Sequence, residues 1–198
     1  MGGVGASVEW LLEQFWPDLA EPSARYQALN QAAASSPAGA KGLIFTPLTG
    51  GHLETGDMAN RGLLGLSLNH TRGDISRAIL EGITLELSWM LDEIRASTAI
   101  TRLKMIGGAS RSPVWPQIVA DLTQTSVDLP AEPEAASLGA AILAGVGAGW
   151  YSDPVSAYSH FHIEEREVLP ALASQEWSWQ LNQRYRQSWK WLPHHADK

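Results

Sequence analysis

The sequence predicts an α/β fold, because short apolar runs that suit strands alternate with longer segments of helical periodicity. The clearest run, 103–106, ends at the pair Gly107-Gly108, and Ser112 then opens a helix as its N-cap. Isoleucine and leucine residues three or four positions apart also mark the segment 75–94 as one long amphipathic helix. Strand, glycine turn and helix in succession are the unit from which α/β domains are built.

Taken in order, the remaining elements are separated by prolines, glycines and polar turns. The predicted helices are 6–15, 23–34, 72–96, the one that begins at 112, 134–149, a short helix from 153, and 175–191. The predicted strands are 42–47, 63–68, 103–106 and 126–129, and 161–168 is a strand or an extended crossing. Neither a repeat nor a long linker interrupts this pattern, so we expect one domain over 1–198.

The amino-acid composition of the chain excludes several kinds of partner and site. The net charge is −7, with 21 acidic and 14 basic residues and no basic run, which argues against a nucleic-acid partner. The absence of cysteine excludes disulfides, thiolate metal sites and a cysteine nucleophile, and it fits a reducing compartment. No apolar run reaches the roughly 18 residues that span a bilayer, and the N-terminus lacks a basic start, so we expect a cytoplasmic protein without a membrane partner.

The turn at Gly107-Gly108 is the best candidate for a ligand site. Glycines leave room for close approach to the backbone, and the following helix start directs free N–H groups and a partial positive charge outward. These properties suit a nucleotide phosphate or sugar. Similar turns also serve packing alone in many α/β proteins, and the motif by itself leaves both interpretations open.

A second motif follows in the helix 134–149, where small residues recur at helical spacing: Ala136, Gly139, Ala140, Leu143 and Gly147. Such a helix can lie very close to a neighbour. The segments GGASRSPVW and EAASLGAAILAGVGAG, in this order, resemble the C-terminal half of the FGGY carbohydrate kinases, the family of glycerol kinase and xylulokinase. GASVEWLLEQ resembles the helix that follows the interdomain crossing in that family, and RGLLGLSLNHTRGDISRAILEGI resembles its second signature.

The resemblance implies an actin-like ATPase (ribonuclease H-like) lobe with a mixed sheet flanked by helices. It implies the nucleotide-binding half of an ATP-dependent carbohydrate kinase, which phosphorylates a sugar hydroxyl with Mg²⁺ as the accompanying metal. In the family the first lobe supplies the sugar site and the catalytic Asp, and no segment of this chain resembles that lobe. We therefore expect no catalytic residue and no metal ligand here, inactivity of the chain alone, and association with the missing N-terminal lobe or with itself.

The resemblance also implies the site residues. Gly107, Gly108 and Ser112 match the glycine turn and the polar helix-start residue that approach the adenosine and phosphates, and Gly5 and Glu9 match the post-crossing helix that lines the nucleotide. A flexible terminus is the alternative for Gly5, and a solvated helix face is the alternative for Glu9. An acid near phosphates is unfavourable unless it meets a ribose or adenine donor.

Details of the glycine turn favour the pentulokinase branch and a pentulose substrate. Ile106 stands where glycerol kinases have Asp, and the run Arg111-Ser112-Pro113 is followed by Trp115. Arg111 is a candidate phosphate ligand, with a solvated or structural role as the alternative.

Several acidic and histidine side chains are expected to be structural. The loop 48–61 departs from the family's Gly-Glu-Arg-Thr/Ser-Pro pattern, and the spacing of His52, Glu54 and Asp57 matches no standard metal site. We expect Asp74 and Glu81 on the long helix to be solvated or to cap it.

Two other functional classes stay open. A non-catalytic actin-like binding or assembly module, such as a pseudokinase fragment, has the same sequence features. A dinucleotide-binding enzyme requires Gly-x-Gly-x-x-Gly near its first strand, and Gly107-Gly108-Ala109 does not fit that spacing.

Overall fold

The computed structural model describes residues 4–47, 62–131, 134–161 and 164–189, and this part of the chain alternates helices with short strands. The helices are α1 (Val4–Phe15), α2 (Pro22–Ala34), α3 (Arg72–Arg95), α4 (Trp115–Thr123), α5 (Ala135–Gly147), α6 (Pro154–Ser159) and α7 (Ser174–Ser188). The strands are β1 (Ile44–Thr46), β2 (Gly62–Leu64), β3 (Arg102–Lys104), β4 (Ser126–Pro130) and β5 (Glu165–Val168). Short 3₁₀ turns occupy Ala40–Gly42 and Gly108–Arg111.

The strands form two small sheets. β1 and β2 pair antiparallel, with Phe45 opposite Leu63. β4 is the middle strand of the other sheet, where it runs parallel to β3 and antiparallel to β5. Val127 of β4 lies opposite Leu103 on one side and Val168 on the other. The second sheet is therefore mixed, as the family resemblance implied.

Helix α3 organises the core and packs against α1, α2, β1, α4 and α7. Ile79, Ile83 and Leu91 of its predicted apolar stripe are buried, whereas Ile94 at its end is half exposed. Gly82 allows the close contact with β1, because a Cβ there would lie 2.1 Å from the carbonyl oxygen of Phe45. This contact fixes β1 against the middle of α3.

The expectation that Asp74 and Glu81 are solvated is wrong, although Asp74 does cap α3. Asp74 accepts hydrogen bonds from the Thr71 N–H at 2.7 Å, from Ser36 Oγ at 2.7 Å and from Lys41 Nζ at 2.9 Å. Glu81 accepts from Arg77 Nε at 2.6 Å and from the Gly39 N–H at 3.0 Å. Both carboxylates are buried. The segment that covers them is a left-handed turn, in which Gly39, Ala40, Lys41 and Gly42 all have positive φ.

Burial and hydrogen bonding act in opposite directions on these two acids. Burial raises the pKa of Asp74, but the hydrogen bonds from Thr71, Ser36 and Lys41 outweigh it and hold that pKa well below its ordinary value. Burial raises the pKa of Glu81 above its ordinary value, and Arg77 opposes this only in part. Two carboxylates therefore hold the left-handed turn. Hydrogen bonds stabilise the ionised form of Asp74, whereas burial disfavours the ionised form of Glu81.

Two predicted boundaries are also wrong. The strand predicted at 63–68 ends at Leu64, because Gly65 has φ +84° and turns the chain, which leaves Leu66 and Leu68 exposed. The helix predicted from Ser112 begins at Trp115, because Ser112, which follows the 3₁₀ turn Gly108–Arg111, is extended with φ −67° and ψ 132°. The predictions for the loop 48–61, with His52, Glu54 and Asp57, lie outside the described residues. Among the helices described, none is both long and apolar enough to cross a membrane.

Candidate functional site

The glycine turn lies where β3 leaves the mixed sheet. The Met105 N–H donates to the Asp128 carbonyl oxygen at 3.0 Å, which continues the β3–β4 ladder one residue beyond β3. Gly107 then has φ 77° and ψ −164°, a conformation essentially restricted to glycine. Gly108 has ordinary φ and is exposed, and a Cβ built on it meets nothing within 4 Å. The turn therefore requires a glycine at 107 and leaves open space above 108.

The turn presents backbone donors. The Ser110 N–H donates to Gly107 O at 3.1 Å, and the Ser112 N–H donates to Ala109 O at 3.2 Å. Across the described residues, no acceptor is found for the N–H groups of Gly107, Gly108 or Ala109. Three consecutive donors at an incompletely buried turn are suited to an anionic or polar ligand.

Ser112 lies just beneath this turn and is buried. Its Oγ accepts from the N–H of Val114 at 3.3 Å and of Trp115 at 3.0 Å, and it donates its own hydrogen to Asn30 Oδ1 at 2.6 Å. A hydroxyl has one donor and two acceptor positions, so all three are used within the chain. Ser112 thus holds the start of α4, as its predicted capping role requires, although α4 begins three residues later.

Gly5 and Glu9 lie one turn apart on α1, and both are exposed. Glu9 Oε1 accepts a hydrogen bond from the Tyr26 hydroxyl on α2 at 2.8 Å. Partial burial, together with the hydrogen bond to Glu9, raises the pKa of Tyr26 to about 12. The Glu9 carboxylate is therefore fixed by a neutral donor rather than by a cation.

Helix α2 connects the two predicted parts of the site. Tyr26 contacts Glu9 of α1, and Asn30 contacts Ser112 at the glycine turn. Tyr26 and Asn30 are four residues apart on one helix face, about 6 Å along the axis. Sequence reasoning missed both residues. Their spacing places them on one face, but nothing in the sequence indicates that this face touches α1 and the turn.

A groove of about 330 Å³ lies beside the turn, between Ser110, Arg111, the end of β4 and the start of β5. In α/β sheets, ligands bind beyond the carboxyl ends of parallel strands, and the ends of β3 and β4 meet the groove and turn here. Arg111 forms an ion pair with Glu134, so its guanidinium is engaged by a carboxylate at this edge. That pair agrees with the structural interpretation of Arg111.

The small-residue helix α5 is largely uncovered. Of its residues, only Ile142 and Gly145 are buried, and Leu143 is 64% exposed. A Cβ built on Gly139 or Gly147 meets nothing within 4 Å. The face of α5 that carries Gly139 and Gly147 therefore lacks the expected close neighbour within the described parts of the chain. It forms an open, uncharged apolar surface.

Acidic and histidine side chains do not converge on a metal position anywhere in the described ranges, where no group of three or more of them could hold an ion. The described residues thus fit a nucleotide through backbone donors, but among themselves they do not form a cage for Mg²⁺.

Comparisons with known proteins identify the family to which the chain belongs. The sequence model of the "FGGY family of carbohydrate kinases, C-terminal domain" matches residues 3–148. The chain is 36% identical over 168 residues to a xylulose kinase of Staphylococcus epidermidis, covering 83% of this chain and 33% of that protein. The chain therefore spans about a third of the length of this relative.

Solved structures give the same result for the fold. The xylulose kinase of Rhodospirillum rubrum superposes with a TM-score of 0.75 at 30% identity, covering 94% of this chain and 37% of that one. The Plasmodium falciparum glycerol kinase with ADP superposes with a TM-score of 0.71 at 22% identity, covering 93% and 37% of the two chains. The predicted actin-like α/β fold is confirmed. The chain belongs to the FGGY family of carbohydrate kinases and contains their C-terminal domain.

Proposed function

We propose that the chain is the nucleotide-binding half of an ATP-dependent sugar kinase and that residues 1–198 form a single lobe. ATP or ADP would bind over the turn that begins at Gly107. The observation that carries this proposal is the set of N–H groups at Gly107, Gly108 and Ala109, which point to no acceptor among the described residues, beside the open space at Gly108.

Backbone donors suit the electrostatics of this chain. The net charge is −7, and Arg111, the cation of the glycine turn itself, is paired with Glu134. At the turn itself, attraction to an anionic nucleotide would therefore come from oriented N–H groups and from the partial positive charge of the α4 N-terminus. Such donors act only at hydrogen-bond distance of about 3 Å, which is why a glycine at 108 matters.

The other predicted residues take supporting roles in this proposal. Ser112 uses its hydroxyl to hold α4 and to anchor the turn, so its contribution to nucleotide binding is through the backbone. Glu9, held by Tyr26 and exposed one turn after Gly5, would accept from a ribose hydroxyl or an adenine amine. Mg²⁺ would be bound mainly by the nucleotide phosphates and water, which is its usual coordination in kinases.

The sugar site and the base that deprotonates the sugar hydroxyl would lie in the domain that the relatives carry in the remaining two-thirds of their length. A pentulose is the favoured substrate, because the relatives include xylulose kinases and the turn lacks an Asp at position 106.

The apolar face of α5 supports association with a further domain or with a second copy of the chain. A helix with almost no charge and mostly exposed residues is normally covered by another element, here the N-terminal domain or a second copy of the chain.

Two measurements on the purified chain test this function. Calorimetric titration with ADP, with and without Mg²⁺, should show one saturable site. A coupled ADP-release assay with ATP and D-xylulose, L-xylulose or glycerol should show no sugar-dependent turnover, because the sugar site and base lie elsewhere. Absence of any nucleotide binding would contradict the proposal and favour the non-catalytic binding module. Saturable turnover by the chain alone would contradict the placement of the base in another domain.

A further inference from the structure

Helix α2 contacts both elements of the proposed nucleotide site, α1 and the glycine turn. One stripe of this helix carries two side chains that reach out to different elements: Tyr26 bonds to Glu9 of α1, and Asn30 bonds to Ser112 at the glycine turn. These are the two elements that the proposed site brings to one ligand.

The orientation of the Asn30 amide follows from the valence of Ser112. Because Ser112 Oγ already accepts two backbone N–H groups, it has only its hydrogen left to give, and the partner at 2.6 Å must be an acceptor. Oδ1 of Asn30 therefore faces Ser112. The hydroxyl in turn fixes the first residues of α4 and, through the Ser112 N–H bonded to Ala109 O, the end of the 3₁₀ turn.

Helix α2 is a rigid base for these contacts. Leu29 and Ala33 are buried in the core. The C-terminal end of α2 packs tightly on the start of α3, since a Cβ on Gly73 would lie 2.7 Å from Ala32 O and 2.6 Å from Ser35 Oγ. A side chain on the exposed face of a helix held this way has a defined position relative to the core.

We propose that Tyr26 and Asn30 are positioning residues, which set the spacing and orientation of the Glu9 carboxylate and the glycine turn for one nucleotide. This inference rests on the proposed nucleotide-binding function. Neither side chain needs to touch the ligand. Each acts through the residue to which it is bonded, Tyr26 through Glu9 and Asn30 through Ser112.

Calorimetric titration of ADP onto Asn30→Ala and Asn182→Ala tests the role of Asn30. Asn182 is a matched control, because its amide also joins a helix to α4, donating to Leu122 O at 3.0 Å at the opposite end of α4. Both variants should melt at similarly reduced temperatures. Only Asn30→Ala should weaken ADP binding, by roughly five- to tenfold, the factor that one hydrogen bond is worth.

Two further variants separate positioning from general stability. Asn30→Asp keeps the acceptor for Ser112, and in 1 M salt, where the screening length is about 3 Å, it should bind ADP within about twofold of the parent chain. Ser112→Ala combined with Asn30→Ala should bind no more weakly than Ser112→Ala alone, because the two residues act through one contact.

If Asn30→Ala does not fold, Tyr26→Phe still tests the proposal. This variant should fold, because the Tyr26 side chain is exposed and loses only its hydroxyl group. We expect a loss of affinity of roughly threefold. If the parent chain binds ADP and the folded variants bind it equally well, the positioning role is overturned while the proposed function stands. If the parent chain does not bind ADP, the proposed function fails and this inference fails with it.

Discussion

Replacement of Gly108 by valine tests the nucleotide site most sharply, because the structure separates its effect on binding from its effect on folding. Gly108 has ordinary φ, and a Cβ there meets nothing within 4 Å. The free energy of unfolding should therefore change by less than about 0.5 kcal/mol, as for most surface substitutions. For a domain of this size the melting temperature should shift by less than about 2 °C.

The effect on binding should be much larger. A ligand oxygen bonded to the N–H of Gly108 or Ala109 must lie about 2.9 Å from the nitrogen, in the space that the branched valine side chain would fill. Loss of two hydrogen bonds to a charged ligand, at about 1.5–3 kcal/mol each, corresponds to at least about a 100-fold loss of affinity.

Circular dichroism melting and calorimetric titration with ADP measure the two effects on the same sample. Gly147→Val on α5 is the control, because its Cβ also meets nothing within 4 Å and it lies outside the glycine turn. Gly107→Val should instead lose about 1–3 kcal/mol of stability, since φ 77° with ψ −164° suits only glycine. Affinity for ADP within threefold of the parent in folded Gly108→Val would show that the nucleotide does not bind over Gly108 and would place it elsewhere.

Two predictions concern the fold that supports the site. Gly82→Ala should lower the free energy of unfolding, measured by urea denaturation, by about 3 kcal/mol or more, because its Cβ would lie 2.1 Å from the Phe45 carbonyl oxygen. A loss below about 1 kcal/mol would show that α3 and β1 do not pack this closely. The pKa of Asp74 is lowered on folding, so its ionisation stabilises the fold above pH about 4 and this stability is lost as pH falls further. Asp74→Asn should flatten that acid limb in urea titrations at pH 2–6, and an unchanged limb would assign the acid sensitivity to other groups.

The parts of the fold that sequence predicted well are those governed by local pattern. The bounds of α3 follow from a long stripe of apolar residues, and the capping box that the structure shows at Thr71 and Asp74 is equally local. The glycine turn was located for the same reason, since adjacent glycines after an apolar run are visible without tertiary information. The position of Gly107 at the exit of β3, with φ 77°, agrees with that reading.

The errors arise from contacts between distant segments. Glu81 has the spacing of a surface residue on α3, and only the left-handed turn near Gly39, about forty positions earlier, makes it a buried acceptor. The start of α4 was misplaced because Ser112-Pro113 has the residue types of a helix start, whereas Ser112 is extended and the proline in the first turn of α4 is Pro116. Asn30 escaped notice because an asparagine in a weakly amphipathic helix gives no sign of its partner 82 residues later.

The most direct measurement is a titration of ¹⁵N-labelled chain with ADP, followed by the amide resonances of the backbone. We expect the resonances of Gly107, Gly108 and Ala109 to shift together along one saturable curve, because these N–H groups, which have no acceptor within the described chain, would then donate to the ligand. The resonances at the far end of α4, near Thr123, should stay nearly fixed. Shifts that saturate elsewhere while those three amides do not move would contradict the assignment of the nucleotide site to the glycine turn.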